Sequence, residues 1–142
     1  MTRGEIVAAA RGWIGTPYQH QASVKGAGCD CLGLVRGVWR ELIGPEPEQV
    51  QAYGALWRLA GEGETLATGA ARHMIAIEAA QAAEGDVLIF RMYEHAEARH
   101  MAILSGPQHM IHAYSGMHVV ESALSPWWRR RVAFAFAFPG VR

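Results

Sequence analysis

Two cysteines and seven histidines are the side chains of this sequence best suited to nucleophilic chemistry. Cys31 opens an apolar stretch with helical spacing, which places it at the first turn of a predicted helix. Exposed backbone N–H groups and the positive end of the helix dipole favour a thiolate at such a position. Cys29 falls before that turn and is expected to be less activated. Cys31 is therefore the candidate nucleophile, and burial as an ordinary core residue is the alternative.

A thiolate nucleophile needs a nearby base, and two histidines on neighbouring predicted strands fit that need. His100 begins a predicted strand at 99–104, and His112 lies on the next strand, at 110–114. A hydrogen bond from the second ring would orient the first. His20, in the loop before Cys31, is a further candidate for the substrate cleft. The remaining histidines are assigned structural roles: His73, His95, His109 and His118.

A zinc site is the competing interpretation, because Cys29, Cys31, His100 and His112 would supply two sulfur and two nitrogen ligands. Structural zinc sites usually have cysteines separated by two to four residues and histidines three to five apart. Neither pair here has that spacing. We therefore predict no metal and no organic cofactor. The close spacing of Cys29 and Cys31 also argues against a disulfide between them.

The composition predicts one globular domain over residues 1–142. Hydrophobic residues make up 51% of the chain and charged residues 18%, which is apolar enough for a core. Thirteen basic residues balance thirteen acidic ones, so the sequence lacks the net positive charge that favours binding to nucleic acids or anionic membranes. No apolar run approaches the ~20 residues that span a bilayer. The short run at 6–10 is not typical of a signal peptide, so we expect synthesis in the cytoplasm without export or membrane insertion.

Helical spacing dominates the first half of the sequence. Thr2 and Glu5 form a predicted capping box, and helices are predicted at 4–13, 31–43, 50–60 and 64–73. Gly44 and Pro45 stop the second of these, and residues 18–28 are predicted to form an ordered loop.

Short apolar and β-branched runs dominate the second half. They predict strands at 87–91, 99–104, 110–114, 118–122 and 132–138. Phe134, Phe136 and Phe138 alternate with alanines, as in an edge or final strand that buries one face. Connections too short for parallel crossovers predict an α+β fold with N-terminal helices packed on a meandering antiparallel sheet.

Five short blocks resemble, in order, those of the NlpC-type cell-wall peptidases. They are Gly15-Thr16-Pro17-Tyr18, Gly28-Cys29-Asp30-Cys31-Leu32-Gly33-Leu34-Val35, Gly85-Asp86-Val87, His100-Met101-Ala102-Ile103-Leu104 and Met110-Ile111-His112-Ala113. The resemblance covers roughly residues 12–122. Residues 26–42 and the segment Pro126-Trp127-Trp128-Arg129-Arg130-Arg131 resemble the small phage-tail branch, which is also found in gene transfer agents.

The resemblance implies a circularly permuted papain-like fold with a Cys-His-His triad. Cys31 matches the nucleophile, His100 the general base and His112 the orienting residue. Tyr18 matches a tyrosine that lines the substrate cleft, and Asp30 an acidic residue that helps hold the free amino end of the substrate. Leu32 stands where many relatives have serine, which removes one polar contact.

The function implied is a murein endopeptidase that hydrolyses the bond between γ-D-glutamate and the diamino acid of peptidoglycan stem peptides. A protein without a signal peptide would reach the cell wall in a phage-like tail, with tail hub or baseplate proteins as its partners. Arg129, Arg130 and Arg131, flanked by Trp127 and Trp128, would form a docking surface for these partners. The alternative is that the arginines are simply solvated beside two tryptophans that face the core. Two alternatives stay open: a tail assembly component with a latent peptidase site, and an amidase or acyltransferase on the same fold.

Overall fold

The computed structural model describes residues 1–48 and 64–142. The helix predicted at 50–60 lies outside the described residues. The helices are α1 (Arg3–Arg11), α2 (Cys31–Leu42), α3 (Thr65–His73) and α4 (Pro126–Arg129), with a 3₁₀ turn at Ala79–Gln81. The strands are β1 (Ser23–Val24), β2 (Gly28–Cys29), β3 (Ile75–Ile77), β4 (Val87–Phe90), β5 (His100–Leu104), β6 (His109–Ala113), β7 (Val119–Ala123) and β8 (Val132–Ala137).

The predicted capping box at the start of α1 is confirmed. The Thr2 hydroxyl accepts a hydrogen bond from the Glu5 backbone N–H at 3.1 Å, and the Glu5 carboxylate accepts one from the Thr2 N–H at 3.1 Å. Helix α1 ends at Arg11, two residues before the predicted end, because Trp13 leaves the helix to pack in the core. This arrangement brings the buried Trp13 ring against α2.

The main sheet has six antiparallel strands in the order β3-β8-β4-β5-β6-β7. Strands β4 to β7 form the predicted meander, but β8 returns to pair with β4 and also holds β3. The final strand is confirmed, and its phenylalanine stripe, Phe134, Phe136 and Phe138, packs in the main core as predicted. The edge-strand alternative with one buried face is wrong, because β8 lies between β3 and β4. Phe136 and Ala135 point to opposite faces and both are buried, because each face of β8 packs against its own apolar cluster.

The two faces of the sheet have different coverings. One face packs against α1 and α2, where Ile6, Leu34 and Val38 join strand residues Ile103 and Ile111 in one core. The other face carries a smaller cluster that includes Phe90, Leu104, Met110 and the half-buried Trp128 of α4. The catalytic candidates on β5 and β6 therefore lie between a helical layer and α4.

Several short elements were not predicted from the sequence. The segment at 18–28 was predicted as a loop, but it contains the two-residue strands β1 and β2. Gly33 allows this segment to approach α2, since a Cβ there would lie 1.9 Å from the Ala22 carbonyl oxygen. The four-residue helix α4 begins at Pro126 and has too few residues for a helical period to be recognised.

Among the helices in the described ranges, none has both the length and the apolar character needed to cross a bilayer.

Gly37 is expected to be required for the contact between α1 and α2. A Cβ at this position would lie 2.0 Å from the Trp13 ring, so Gly37→Ala should lower the free energy of unfolding by about 1–3 kcal/mol through overpacking. Gly69→Ala, at a half-buried position of α3, is the matched control and should cost nothing: a Cβ there would lie 3.6 Å from its nearest neighbour, the Arg72 side chain, and alanine favours helix. Chemical denaturation of both variants measures this difference, and equal stabilities would contradict the packing argument.

Candidate active site

A cleft of about 280 Å³ opens where the N-terminus of α2 meets the start of β5. Its walls come from the segment before α2, the β4–β5 connection, and the end of β6. The residues that line it are Tyr18, Asp30, Cys31, Met92, Tyr93, Glu97, Arg99, His100, Ala113, Tyr114 and Ser115. Tyr93 and Tyr114 are among the most exposed aromatic residues of the described chain, so they form an accessible rim around a buried centre.

Asp30 fixes the start of α2. One oxygen of its carboxylate accepts the Gly33 backbone N–H at 2.7 Å, which caps the helix, and the other accepts the Gln21 N–H at 2.7 Å. Gln21 has a left-handed backbone (φ 66°) that turns its N–H toward this carboxylate. Asp30 is thus a structural clamp that joins the preceding segment to the helix and holds Cys31 at the first helical position.

The Cys31 side chain is buried, with 8% of the residue exposed. Its Sγ lies 3.6 Å from the Arg99 carbonyl oxygen. Burial raises the pKa of the Cys31 thiol to about 12, and the nearby Asp30 carboxylate adds to the rise. The backbone N–H groups of Cys31 and Leu32 at the helix start lower the pKa of the thiol, in the expected direction, but burial outweighs them. The nucleophile must instead be generated by transfer of the thiol proton to a base.

The two histidines of the predicted triad are in direct contact. His100 Nε2 and His112 Nδ1 are 2.9 Å apart, and His112 Nε2 lies 3.1 Å from the Ser122 hydroxyl oxygen. Burial lowers the pKa of His112 to about 4, so this ring is neutral at neutral pH. With Nε2 of His100 engaged by His112, exchange of a proton with Cys31 would use the Nδ1 side of the His100 ring.

Aromatic rings enclose the histidine pair. The Trp128 ring centroid lies 5.3 Å from that of His100 and 5.2 Å from that of His112. Tyr114 contacts His100 edge to face at 5.4 Å, and Phe90 lies at 5.8 Å. These contacts fix the ring planes and displace water, which strengthens each hydrogen bond in the pair. The sequence placed Trp128 either in a docking cluster or in the core, and the structure places it against the smaller apolar cluster and the histidines.

A buried ion pair that sequence reasoning missed lies in the cleft wall. Arg99 Nη2 pairs with Glu97 Oε2, and both side chains are almost completely buried. Glu97 Oε1 also accepts the backbone N–H and the hydroxyl of Thr65, each at 2.7 Å, at the start of α3. The only signal was a charged residue directly before His100. The pair joins α3 to the strand that carries the candidate base.

The structure brings most of the predicted site residues together. Tyr18, Asp30, Cys31 and His100 line the cleft. His112 does not line the cleft, but its ring contacts the His100 ring from behind the cleft wall. His20 is half-buried but does not line the cleft, and Leu32 packs against the helical core.

The side chains of the zinc interpretation do not form a metal site. The described part of the chain holds no group of three or more histidine, cysteine, aspartate or glutamate side chains arranged to bind a metal ion. Cys29 is fully buried in β2, and burial raises the pKa of its thiol to about 12. Both cysteines join the main core, but only Cys31 also lines the cleft.

This arrangement is suited to acyl transfer. A thiol at a helix N-terminus, with a paired imidazole in the same cleft, can attack a carbonyl carbon. The backbone N–H of Cys31 lies at the positive end of α2, where it can stabilise the oxyanion that forms.

Comparisons with known proteins agree with this geometry. A model of the NlpC/P60 family matches residues 15–136. The NlpC/p60 domain of the peptidoglycan hydrolase SagA is 25% identical, with a TM-score of 0.66, and the match covers 97% of this chain and 100% of that domain. No curated protein sequence is significantly similar to this chain.

Two further solved structures show the same fold at lower identity. An NlpC/P60 family protein from Bacillus cereus has a TM-score of 0.70 at 19% identity, and the match covers 95% of this chain and 39% of that protein. The peptidoglycan hydrolase RipB from Mycobacterium tuberculosis has a TM-score of 0.60 at 17% identity, with 94% and 63% covered. The α+β, papain-like fold expected from the sequence is thereby confirmed.

The neutral His112 should make the protein less stable in acid. Its pKa is about 4 in the folded chain and 6.5 ordinarily, so the unfolded chain binds more protons between these values. This group should therefore lower the free energy of unfolding by up to about 3 kcal/mol as the pH falls from about 6.5 to about 4. Above about pH 6.5 the neutral His112 causes no loss of stability, and below about pH 4 it causes no further loss.

The comparison of wild type with His112→Asn by urea denaturation across this pH range measures the contribution. The loss of stability in acid should be smaller in the variant by roughly that amount. Ile111→Val, on the same strand, is the control: it should lower stability by about 0.5–1.5 kcal/mol at every pH without changing the slope. A His112→Asn curve that runs parallel to the wild-type curve would contradict the argument.

Proposed function

The chain belongs to the NlpC/P60 family of cysteine peptidases, which act as peptidoglycan hydrolases, and from this premise we propose that it cleaves the peptide stems of peptidoglycan. The bond we propose is the amide between γ-D-glutamate and the diamino acid. The observation that carries the proposal is the placement of Cys31 and the His100–His112 pair at one cleft. The resemblance of the sequence blocks supports the choice of bond.

The first half of the reaction is acylation. The Cys31 thiol proton passes to His100, and the sulfur attacks the carbonyl carbon of the scissile amide. The oxyanion of the tetrahedral intermediate accepts a hydrogen bond from the Cys31 backbone N–H. The protonated His100 then gives its proton to the departing nitrogen, the C–N bond breaks, and the diamino-acid side leaves as a free amine. The γ-D-glutamyl part remains on Cys31 as a thioester.

The second half is hydrolysis of the thioester. His100, neutral again, takes a proton from water as the oxygen attacks the thioester carbonyl. The C–S bond breaks, the proton returns to the Cys31 sulfur, and a carboxylic acid leaves. Since no step uses a metal or an organic cofactor, residues of this chain alone account for the proposed chemistry. Passage of the acyl group to another acceptor instead of water would give the acyltransferase alternative.

The substrate end of the cleft is proposed to lie near Tyr18 and Asp30. Both residues line the cleft beside Cys31. The Asp30 carboxylate already accepts two backbone N–H groups, so it is held in a fixed orientation in which a free ammonium group of the stem peptide would be a third donor. The exposed rings of Tyr93 and Tyr114 would contact the apolar parts of the peptide.

We further propose that the protein is delivered to the cell wall in a phage-like tail, bound to hub or baseplate proteins. This proposal is supported by the resemblance of residues 26–42 and 126–131 to the phage-tail branch. Trp127 is 42% exposed, and the Arg131 guanidinium lies 3.6 Å from its ring centroid, so this corner presents an ordered Trp–Arg surface. Such residue types are favoured at protein interfaces.

Digestion of purified peptidoglycan tests the enzymatic proposal. Wild type should release cut stem peptides, and Cys31→Ala should release none, because no other described thiol lines the cleft. Cys29→Ala is the matched control and should retain most of the activity, since Cys29 is buried in β2 away from the cleft wall. Mass spectrometry of the products identifies the bond.

The outcomes separate the candidate functions. Cleavage that survives Cys31→Ala would refute the proposed nucleophile. Products cut at a different amide would refute the proposed scissile bond but would still support a peptidase activity. An inert wild type that still enters tail particles would favour the tail-assembly alternative.

Metal removal provides an independent prediction. A chelator such as EDTA should leave the rate of peptidoglycan cleavage unchanged, because the thiol and the imidazoles perform every proposed step. Measurement of the rate before and after dialysis against the chelator is sufficient. Loss of activity that zinc restores would contradict the mechanism and favour the zinc interpretation.

The tail proposal is tested by proteomics of purified tail particles from cells that produce this protein. Wild type and Cys31→Ala should both be incorporated, because Cys31 is buried and adds little to the outer surface of the protein. Trp127→Ala should lower incorporation much more than peptidoglycan cleavage, because the Trp127 ring contacts Trp128, which in turn contacts the histidines. Full incorporation of the Trp127 variant would exclude this surface, and absence of the wild type from particles would exclude tail delivery.

A further inference from the structure

The hydrogen-bond chain of the site extends one residue beyond the triad. His100, His112 and Ser122 lie on three consecutive strands, β5, β6 and β7. His112 pairs with Val120 across β6 and β7, so Ser122 is the diagonal neighbour of His112 on the same face. The Ser122 hydroxyl oxygen lies 3.1 Å from His112 Nε2, while His112 Nδ1 contacts His100 at 2.9 Å. Both nitrogens of the buried His112 ring are therefore engaged.

Proton counting fixes the direction of this chain in the reactive state. When His100 holds the proton taken from Cys31, both of its ring nitrogens carry hydrogen, so its Nε2 must donate. His112 Nδ1 must then accept. A neutral imidazole has one N–H, so the proton of His112 must be on Nε2, where it points to Ser122. The Ser122 oxygen is the acceptor at hydrogen-bond distance from that atom.

We propose that Ser122 is a positioning residue for the peptidase reaction: its hydroxyl accepts the Nε2–H of His112 and so stabilises the state in which His100 is protonated. The inference rests on the proposed function for its consequence in catalysis. It goes beyond the Cys-His-His triad, which ends at His112. A neutral His100 that can take the thiol proton at Nδ1 already carries hydrogen on Nε2, so Ser122 accepts in this reactive resting tautomer as well. In the other, unreactive tautomer His100 Nε2 accepts from His112, and the Ser122 hydroxyl would donate to His112 Nε2.

The surroundings make water a poor substitute for this hydroxyl. Trp128 packs against both imidazole rings, and His112 is 3% exposed, so the Nε2–H end of the bond is closed to water, although Ser122 itself is half-buried. A buried N–H that loses its acceptor has a cost comparable to a tenfold to hundredfold change in an equilibrium. That cost would fall on the reactive neutral tautomer of His100 and on protonated His100, because both require the Nε2–H of His112. The resting protein would shift toward the unreactive tautomer, and formation of the Cys31 thiolate would become less favourable by up to that factor.

A pair of isosteric variants isolates the hydroxyl. Ser122→Thr keeps the hydroxyl, Ser122→Val replaces it with a methyl group, and both branched side chains suit the strand β7. We expect the Val variant to have a kcat at least about tenfold below that of the Thr variant, with a similar KM, since Ser122 does not line the cleft. Ser125→Ala, at the start of α4, makes no capping hydrogen bond and should behave as wild type.

A second measurement does not depend on peptidoglycan. The rate at which iodoacetamide alkylates Cys31, in a Cys29→Ala background, reports the thiolate formed with His100. The Val variant should react about tenfold or more slowly than the Thr variant at neutral pH, while their thermal unfolding midpoints agree. Thr and Val variants that react at the same rate would overturn the proposal. Rates that fall in step with the unfolding midpoint would also overturn it, because they indicate a structural role.

The two measurements separate the inference from the proposed function. A Thr–Val difference in alkylation, with no cleavage of peptidoglycan even by wild type, would refute the proposed substrate and support the role of Ser122. Cleavage by all variants with equal kcat would support the peptidase and refute the role of Ser122.

Discussion

The site depends first on the two hydrogen bonds that the Asp30 carboxylate accepts, one from Gly33 in α2 and one from Gln21 in the preceding segment. The first bond determines where α2 begins and so makes Cys31 its first residue. The second holds the segment that carries Tyr18 against the same helix end. Because α2 also packs on β5 through the main core, the position of the thiol relative to His100 follows from one cap and one packed interface.

Burial then determines the chemistry of the groups that this frame holds. It raises the pKa of Cys31 and lowers that of His112, so both side chains are neutral in the resting protein. A neutral thiol and a neutral His112 carry no charge that needs solvation, which suits a water-poor cleft. In the proposed reaction, transfer of the proton from Cys31 creates charge on the sulfur and on His100. The orienting residues matter because they act on that charged state.

Sequence reasoning predicted the parts of the site that local pattern specifies. The capping box of α1, the helix that begins at Cys31, and the strands that carry His100 and His112 all leave periodic or capping signals in the sequence. Resemblance to a family supplied the roles of those residues. Pairing across long separations leaves no such signal, so the return of β8 to β4 was missed. The contact of Trp128 with the histidines was missed for the same reason.

The balance between helix dipole and burial at Cys31 could not be read from the sequence either. A helix N-terminus favours a thiolate by a fraction of a kcal/mol when it is exposed to water, whereas complete burial of a charge costs several times more. The sequence shows the helix start but not the depth of the side chain, so it predicts the smaller effect and omits the larger. In the folded protein the larger effect decides. In the proposed reaction the helix start would contribute in the transition state, where the Cys31 N–H would face the developing oxyanion. The same backbone group would therefore add little to the resting thiol and act mainly on the reacting substrate.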